Sequence, residues 1–302
     1  MNIIVWLVLC LIWGTTWIFI KIGLRDLPPI SFASARFLLA AFIVFAIIRI
    51  KKIPLPKTRP EWRLIAITGF LQFSVNYSTV FWGEQYITSG LAAVLQSMIT
   101  VFGLALAWIF LPSEHITKLK IFAVSLGIAG VAVIFFDQLR VENIMAFAGS
   151  FAIVAGSYFA AQASILIKAR GGAFHPASLL FGQMLCGLPF ILAYSLLVEG
   201  NPLEFNWTQT AVISVLYLTV FGTIAAFWLY YWLLRRIEST KAMMISLVTP
   251  LIAVVIDAVF LGESLPPQTF IGGLLILSSI GLIVVRRRPE PRSEPTGPQV
   301  KL

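Results

Sequence analysis

The side chains able to do chemistry are few, and they interrupt long apolar runs. Gln72 and Asn76 stand four residues apart, as do Gln96 and Thr100, and Tyr158 and Gln162. Residues at that spacing share one face of a helix. Ser246 and Thr249 share a face at a spacing of three, just before Pro250. Trp13, Thr15, Thr16 and Trp17 cluster near the N-terminus, Tyr77 adjoins Asn76, and Thr223, Trp228 and Tyr231 follow later. Amides, hydroxyls and rings do not relay protons; they hydrogen-bond and stack. A cavity lined by them suits an uncharged or zwitterionic organic molecule. Pro250 lacks a backbone N–H, so it can kink its helix and leave a carbonyl free for a polar group. The substrate-binding candidates are Trp13, Thr16, Gln72, Asn76, Tyr77, Gln96, Thr100, Tyr158, Gln162, Trp228, Ser246 and Thr249.

Three charges also fall inside apolar runs: Lys21, Arg36 and Asp257. At ~1.5 Å per residue, all three lie within about 4–9 Å of one set of helix ends. Leaving any of them unpaired in hydrocarbon is costly. Asp257 is expected to pair with Arg36 or Lys21 and to form part of a gate. A static pair, or cations snorkelling outward, is the plainer reading.

Catalytic signatures are missing. The chain has no His-Glu-x-x-His, no Cys/His cluster, no Gly-x-Ser-x-Gly, no phosphate loop and no dinucleotide fingerprint. Cys10 and Cys186 lie in apolar runs without a nearby His, which argues against both a disulfide scaffold and a thiol nucleophile. The expectation is no enzyme, no metal and no cofactor.

The elements that position these residues follow from composition. Of 302 residues, 59% are hydrophobic and 12% charged. Soluble domains carry about 45–50% apolar and about 25% charged residues. Mean hydropathy is +0.92. An ordinary soluble protein and a disordered chain are excluded, and continuous runs exclude a barrel of ~10-residue alternating strands. A transmembrane helix needs roughly 20 apolar residues. Ten such segments are predicted, at 3–24, 30–50, 64–83, 88–111, 118–136, 144–168, 175–198, 209–234, 240–261 and 268–286. The first lacks a basic leader and a small-residue cleavage site, so it reads as a retained span. The Pro-rich stretch 289–302 reads as a disordered tail.

The net charge of +9 is a topology signal rather than a nucleic-acid footprint. With ten spans, eighteen of the 22 Lys and Arg fall on one side, Arg25 and Arg140 on the other, and Lys21 and Arg36 within spans. The positive-inside rule places both termini in the cytoplasm.

The chain also matches itself. Ile20-Lys21 precedes Pro29 as Ile167-Lys168 precedes Pro176, and Phe81-Trp82 corresponds to Tyr231-Trp232. Ile87–Ala92 aligns with Ile237–Ala242, and Phe110–Glu114 with Phe260–Glu263. The expected halves are residues 1–137 and 138–288, five spans each. Five is odd, so the second copy starts from the opposite side. Inverted halves suit alternating access around a midplane site. The fold class expected is an all-α polytopic membrane protein of two inverted five-helix repeats.

Trp13-Gly14 followed by Lys21, Pro29 and Arg36-Phe37 resembles the opening of an EamA domain. Ala92-Ala93, Phe110-Leu111 and Glu114 continue that resemblance, and Ala242, Pro250 and Leu261-Gly262-Glu263 resemble its closing motif. The resemblance is to the ten-helix EamA branch of the drug/metabolite transporter superfamily. It implies an inner-membrane transporter of amino acids, metabolites or drug-like compounds, often an exporter. The expected partners are the lipid bilayer and a small organic solute, with no nucleic acid, as monomer or homodimer. A channel-like facilitative pore and a non-transporting scaffold are the alternatives.

Asp257 is the carboxylate placed to exchange a proton within a span. Transport is expected to be facilitative, or weakly proton-linked through Asp257. Uptake into vesicles under a pH gradient checks this: uptake at full strength in Asp257→Asn contradicts a relay through that residue.

Overall fold

In hydrocarbon the first N–H groups of a helix must find acceptors at the boundary, and the links here supply them. Helix α1 spans Asn2–Gly23. Pro28-Pro29 opens α2, Pro29–Lys51, and Pro28 has no capping side chain. The Glu199 carboxylate caps α2 instead, accepting from the Ile30 and Ser31 N–H at 2.9 and 2.6 Å. A capping box of Thr58 and Glu61 begins α3, Arg59–Gly83. Helix α4 runs in two pieces, Ser89–Gln96 and Met98–Phe110. Thr117 caps α5, Lys118–Ile134, and Asn143 caps α6, Ile144–Arg170. His175 caps α7, Pro176–Glu199, through Nδ1, which accepts from the Ala177 N–H at 3.2 Å. Thr208 caps α8, Gln209–Leu234. Helix α9 is again in two pieces, Ser239–Met243 and Ile245–Leu261, and α10 is Pro267–Val284.

The computed structural model describes residues 1–87, 89–136, 143–261 and 267–284, without the side chains of 89, 90, 254, 257–261 and 284. Every regular element among the described residues is helical. Seven helices are long and apolar enough to cross a bilayer: α1, α2, α3, α4, α6, α7 and α8. The expected spans at 118–136, 240–261 and 268–286 correspond to the shorter α5, α9 and α10. Large apolar side chains stand on the surface: Trp108 is 75% exposed, Phe42 71% and Phe151 68%. Such an exterior is stable only against lipid. The chain is a polytopic helical membrane protein.

Two helices depart from α geometry in their middles. Residues Phe70–Asn76 of α3 and Leu218–Ala225 of α8 wind as π-helix. Helices α4 and α9 each break once, at Ser97 and at Met244. Each departure adjoins polar residues singled out in the sequence.

Small residues set the tightest packing. Helices α5 and α10 approach backbone to backbone: a methyl group at Gly130 would lie 2.7 Å from the Gly272 carbonyl oxygen. The small-residue stripe of α5 is therefore spent within the chain. At Gly69, a methyl would run into the Gln183 backbone of α7. Buried polar groups fill the remaining demands. The Tyr231 hydroxyl donates to Gln183 Oε1, and Gln183 Nε2 donates to Thr68 Oγ1 at 2.8 Å.

Gly130→Leu forces the α5–α10 backbones apart. The expected cost is about 1–3 kcal/mol, typical of overpacking. Thermal unfolding in detergent checks it; an unchanged midpoint contradicts the close seam.

Candidate functional site

A cavity of about 130 Å³ opens in the middle of the bundle, walled by α1, α2, α3, α4, α6, α8 and α9. Trp13 and Thr16 reach it from α1, Gln72, Asn76 and Tyr77 from α3, Gln96 from α4, and Ser246 and Thr249 from α9. The π stretch of α3 ends at Asn76, so Gln72 and Asn76 sit where one extra residue per turn rotates the helix face. The two pieces of α4 meet beside Gln96.

These polar groups are joined to each other. Gln96 Nε2 donates to Asn76 Oδ1 at 3.4 Å, and Ser157 Oγ donates to Gln96 Oε1 at 3.1 Å. One amide pair thus ties α3, α4 and α6 together. Thr16 Oγ1 donates back to the Trp13 carbonyl at 2.7 Å, the usual fate of a hydroxyl in an apolar helix.

Other candidates lie elsewhere. Thr100 is fully buried behind the wall, bonded to Ser246 Oγ at 2.8 Å and donating to the Met243 carbonyl at 3.1 Å. Tyr158 is 38% exposed and packs edge-on against Phe102. Gln162 is half-buried and does not line the cavity. Trp228 packs edge-on against His175, at the link end of α8. Helix spacing shows which residues share a face but not where that face points.

Of the three charges expected at a gate, Lys21 is exposed near the end of α1. Arg36 is 1% exposed and lines the cavity. Its Nε donates to Thr223 Oγ1 at 2.7 Å and its Nη2 to the Gly222 carbonyl at 3.0 Å. Both acceptors lie in the π stretch of α8. Asp257 belongs to α9, and its side chain lies outside the described residues.

The sequence reading passed over Phe227, Tyr230 and Ser164, which also line the cavity. Trp13 packs against the Phe227 and Tyr230 rings, with centroids at 5.8 and 5.3 Å. The Tyr230 hydroxyl donates to Ser164 Oγ at 3.1 Å. Tyr230 and Tyr231 are adjacent in sequence, yet one faces the cavity and the other Gln183; only the winding of α8 separates them.

Polar latches flank the cavity. At the Lys-rich end, the buried Glu114 carboxylate accepts from the Ser239 N–H at 2.8 Å and from Ser239 Oγ at 2.6 Å, capping α9. Lys168 Nζ lies 3.9 Å from Glu114 and donates to the Leu234 and Ile237 carbonyls. Lys120 pairs with Glu238 at 3.1 Å. Burial pushes the Glu238 carboxyl up, but Lys120 and Lys241 outweigh it and hold the group below its ordinary value. At the other end, Thr208 Oγ1 donates to Asp26 at 2.6 Å, joining α8 to the link after α1. Glu84 follows α3 directly, and both its carboxylate oxygens are buried without a hydrogen-bond partner among the described residues.

Known proteins resemble this chain over nearly its full length. The EamA-like transporter family matches residues 1–136 and again 147–285. A probable amino-acid metabolite efflux pump of Salmonella typhimurium is 29% identical, covering 91% of this chain and 91% of its own. An uncharacterized inner membrane transporter, YedA, of Escherichia coli K12 is 25% identical, covering 97% of this chain and 94% of its own. An uncharacterized transporter of Archaeoglobus fulgidus is 31% identical over 94% of this chain and 99% of its own. One crystal structure superposes with a TM-score of 0.80 at 14% identity, covering 94% of this chain and 96% of that one. That likeness concerns the fold.

Burial pushes the Glu84 pKa up to about 8, against the pull of the Lys21 ammonium. The folded state therefore holds this proton more tightly than the unfolded chain, whose glutamates titrate near about 4.3. The contribution to stability is complete below that value and is lost as pH rises through about 8. Glu84→Gln should flatten this dependence, gaining on the parent between about pH 5 and 8. Thermal midpoints in detergent at both pH values check it; parallel curves contradict the burial.

Proposed function

The chain belongs to the EamA-like transporter family, and from that membership we propose that it exports small organic solutes across the inner membrane by alternating access. The central cavity carries this reading. It lies mid-bundle, draws walls from both matched segments, and offers amides, hydroxyls and rings rather than a reactive group. A carrier needs such a site, reachable from one side at a time.

The inverted-repeat expectation belongs to the same proposal: ten spans, five in 1–137 and five in 138–288, with 289–302 as a tail. Three observations support it. The family matches twice along the chain. The π stretches of α3 and α8 occupy corresponding places, as do the breaks of α4 and α9. The Lys/Arg asymmetry supports cytoplasmic termini, with the end bearing Lys120 and Lys168 as the inner one. The relatives' names support the inner membrane and an outward direction, and one names amino-acid metabolites.

In this reading Asn76 and Gln96 bind solute through their amides, with Gln72, Ser246 and Thr249 beside them. Trp13, Thr16 and Tyr77 supply the walls. Lys21 and Asp257 act near the outer end, while Arg36, expected with them at a gate, lines the cavity. The latches at Glu114 and Asp26 exchange their partners for water as each end opens.

Proteoliposomes loaded with labelled amino acids, nucleosides, polyamines and organic cations test the proposal. Saturable flux, accelerated by unlabelled solute on the far side, is the carrier result. Flux that never saturates indicates a pore, and none for any class overturns the reading. Ligand at 100 times its dissociation constant should add about 2.7 kcal/mol of stability, and Asn76→Ala with Gln96→Ala should remove that gain.

A further inference from the structure

The cavity's unmet hydrogen bonds define the charge of what it accepts. Twelve of its neighbours are apolar or aromatic, and its polar groups are mostly paired. Two lining residues keep a buried side-chain atom with no hydrogen-bond partner among the described residues: Arg36 through Nη1 and Trp13 through Nε1. Both atoms are donors, and donors call for an acceptor on the solute.

Arg36 adds charge to that demand. Its two hydrogen bonds go to a hydroxyl and a carbonyl, and the Tyr77 hydroxyl interacts with it as well; all three are neutral. The Phe37 and Tyr77 rings lie 5.0 and 5.1 Å from its guanidinium carbon. No Asp or Glu lines the cavity among the described residues, and their ion pairs involve Lys120, Lys168 and Lys241 rather than Arg36. Neutral dipoles and rings spread a positive charge but do not cancel it. A buried guanidinium with no counter-ion among the described residues is the arrangement an incoming oxyanion completes. A cationic solute meets the opposite: like charge, and no carboxylate to receive it.

The site is also built to hold that fork in place. The π winding of α8 presents the Gly222 carbonyl and Thr223 hydroxyl to Nε and Nη2, leaving Nη1 as the free arm. A methyl at Gly222 would lie 3.2 Å from Nη2, so the fit is close.

We propose that Arg36 is the specificity determinant of this carrier: its free Nη1, with Trp13 Nε1 as a second donor, binds the carboxylate of a small organic acid. The proposal rests on the cavity being the transport site. The body of the acid lies among Trp17, Phe227 and Val80, which favour an apolar or aromatic group.

The test uses matched series that differ only in the head group. Butanoate, 3-phenylpropanoate and indole-3-propanoate are each compared with the primary amide, the primary amine and the phosphate monoester of the same body. Thermal stabilisation and proteoliposome flux are read for the full-length protein. The acids should bind about tenfold or more tightly than their amides, and the amines not at all. Arg36→Gln should abolish the acid-over-amide preference while amide binding persists, and Arg36→Lys should restore part of it. Trp13→Phe, which removes only the N–H, should weaken the acids several-fold and leave the amides unchanged. If Arg36→Gln fails to fold, the parent's head-group series and Trp13→Phe decide alone. Equal binding of acid and amide, or preference for the amine, overturns the proposal while leaving the carrier reading intact. Phosphate esters outranking the acids overturn the carboxylate assignment. No flux or stabilisation with any compound overturns both readings.

Discussion

A polar atom inside a bilayer has no partner except the protein itself. That constraint explains why every described regular element is a helix, which satisfies its own backbone. It explains the caps that close helix ends at the boundary, where Glu199 serves α2 and Glu114 serves α9 from other parts of the chain. It also explains the hydroxyls that bond backward, such as Thr16 to Trp13 and Ser157 to Ile153. Ten buried side-chain atoms among the described residues are left without a partner, and two of them, on Trp13 and Arg36, belong to residues that line the central cavity.

The same constraint gives the π stretches their purpose. A regular α-helix consumes every carbonyl in its middle. A π turn shifts the ladder by one residue and changes which groups face inward. In α8 the Gly222 carbonyl accepts from Arg36, and Thr223 accepts from Arg36 while donating to the Leu218 carbonyl. In α3 the shift ends where Asn76 meets Gln96. In α3 the irregular stretch turns Gln72 and Asn76 to the cavity, and in α8 the Gly222 carbonyl it presents is taken by Arg36.

Hydropathy made the helices legible, because water-to-lipid transfer acts on every residue and its signal accumulates over twenty of them. Spacing made local faces legible: Gln72 and Asn76 lie on one side of α3, and that side meets the cavity. What spacing lacks is the direction of a face. Tyr158 and Gln162 share one as well, yet Tyr158 packs against Phe102 on the periphery. Thr100 faces inward but is consumed by Ser246. Tyr230 escaped notice beside Tyr231 because a π turn leaves no residue signature. Arg36 was read by its depth, whereas its position around the helix axis sets its surroundings.

The contact between Gly130 and Gly272 has a mechanical meaning. Most helix pairs touch through side chains, which change rotamer and let one helix slide past the other. Where carbonyls meet glycine directly, no such lubricating layer exists, and sliding drives backbone into backbone. Helices α5 and α10 are therefore locked to each other, and the rocking we propose about the cavity falls to the remaining helices, with this seam as the stator.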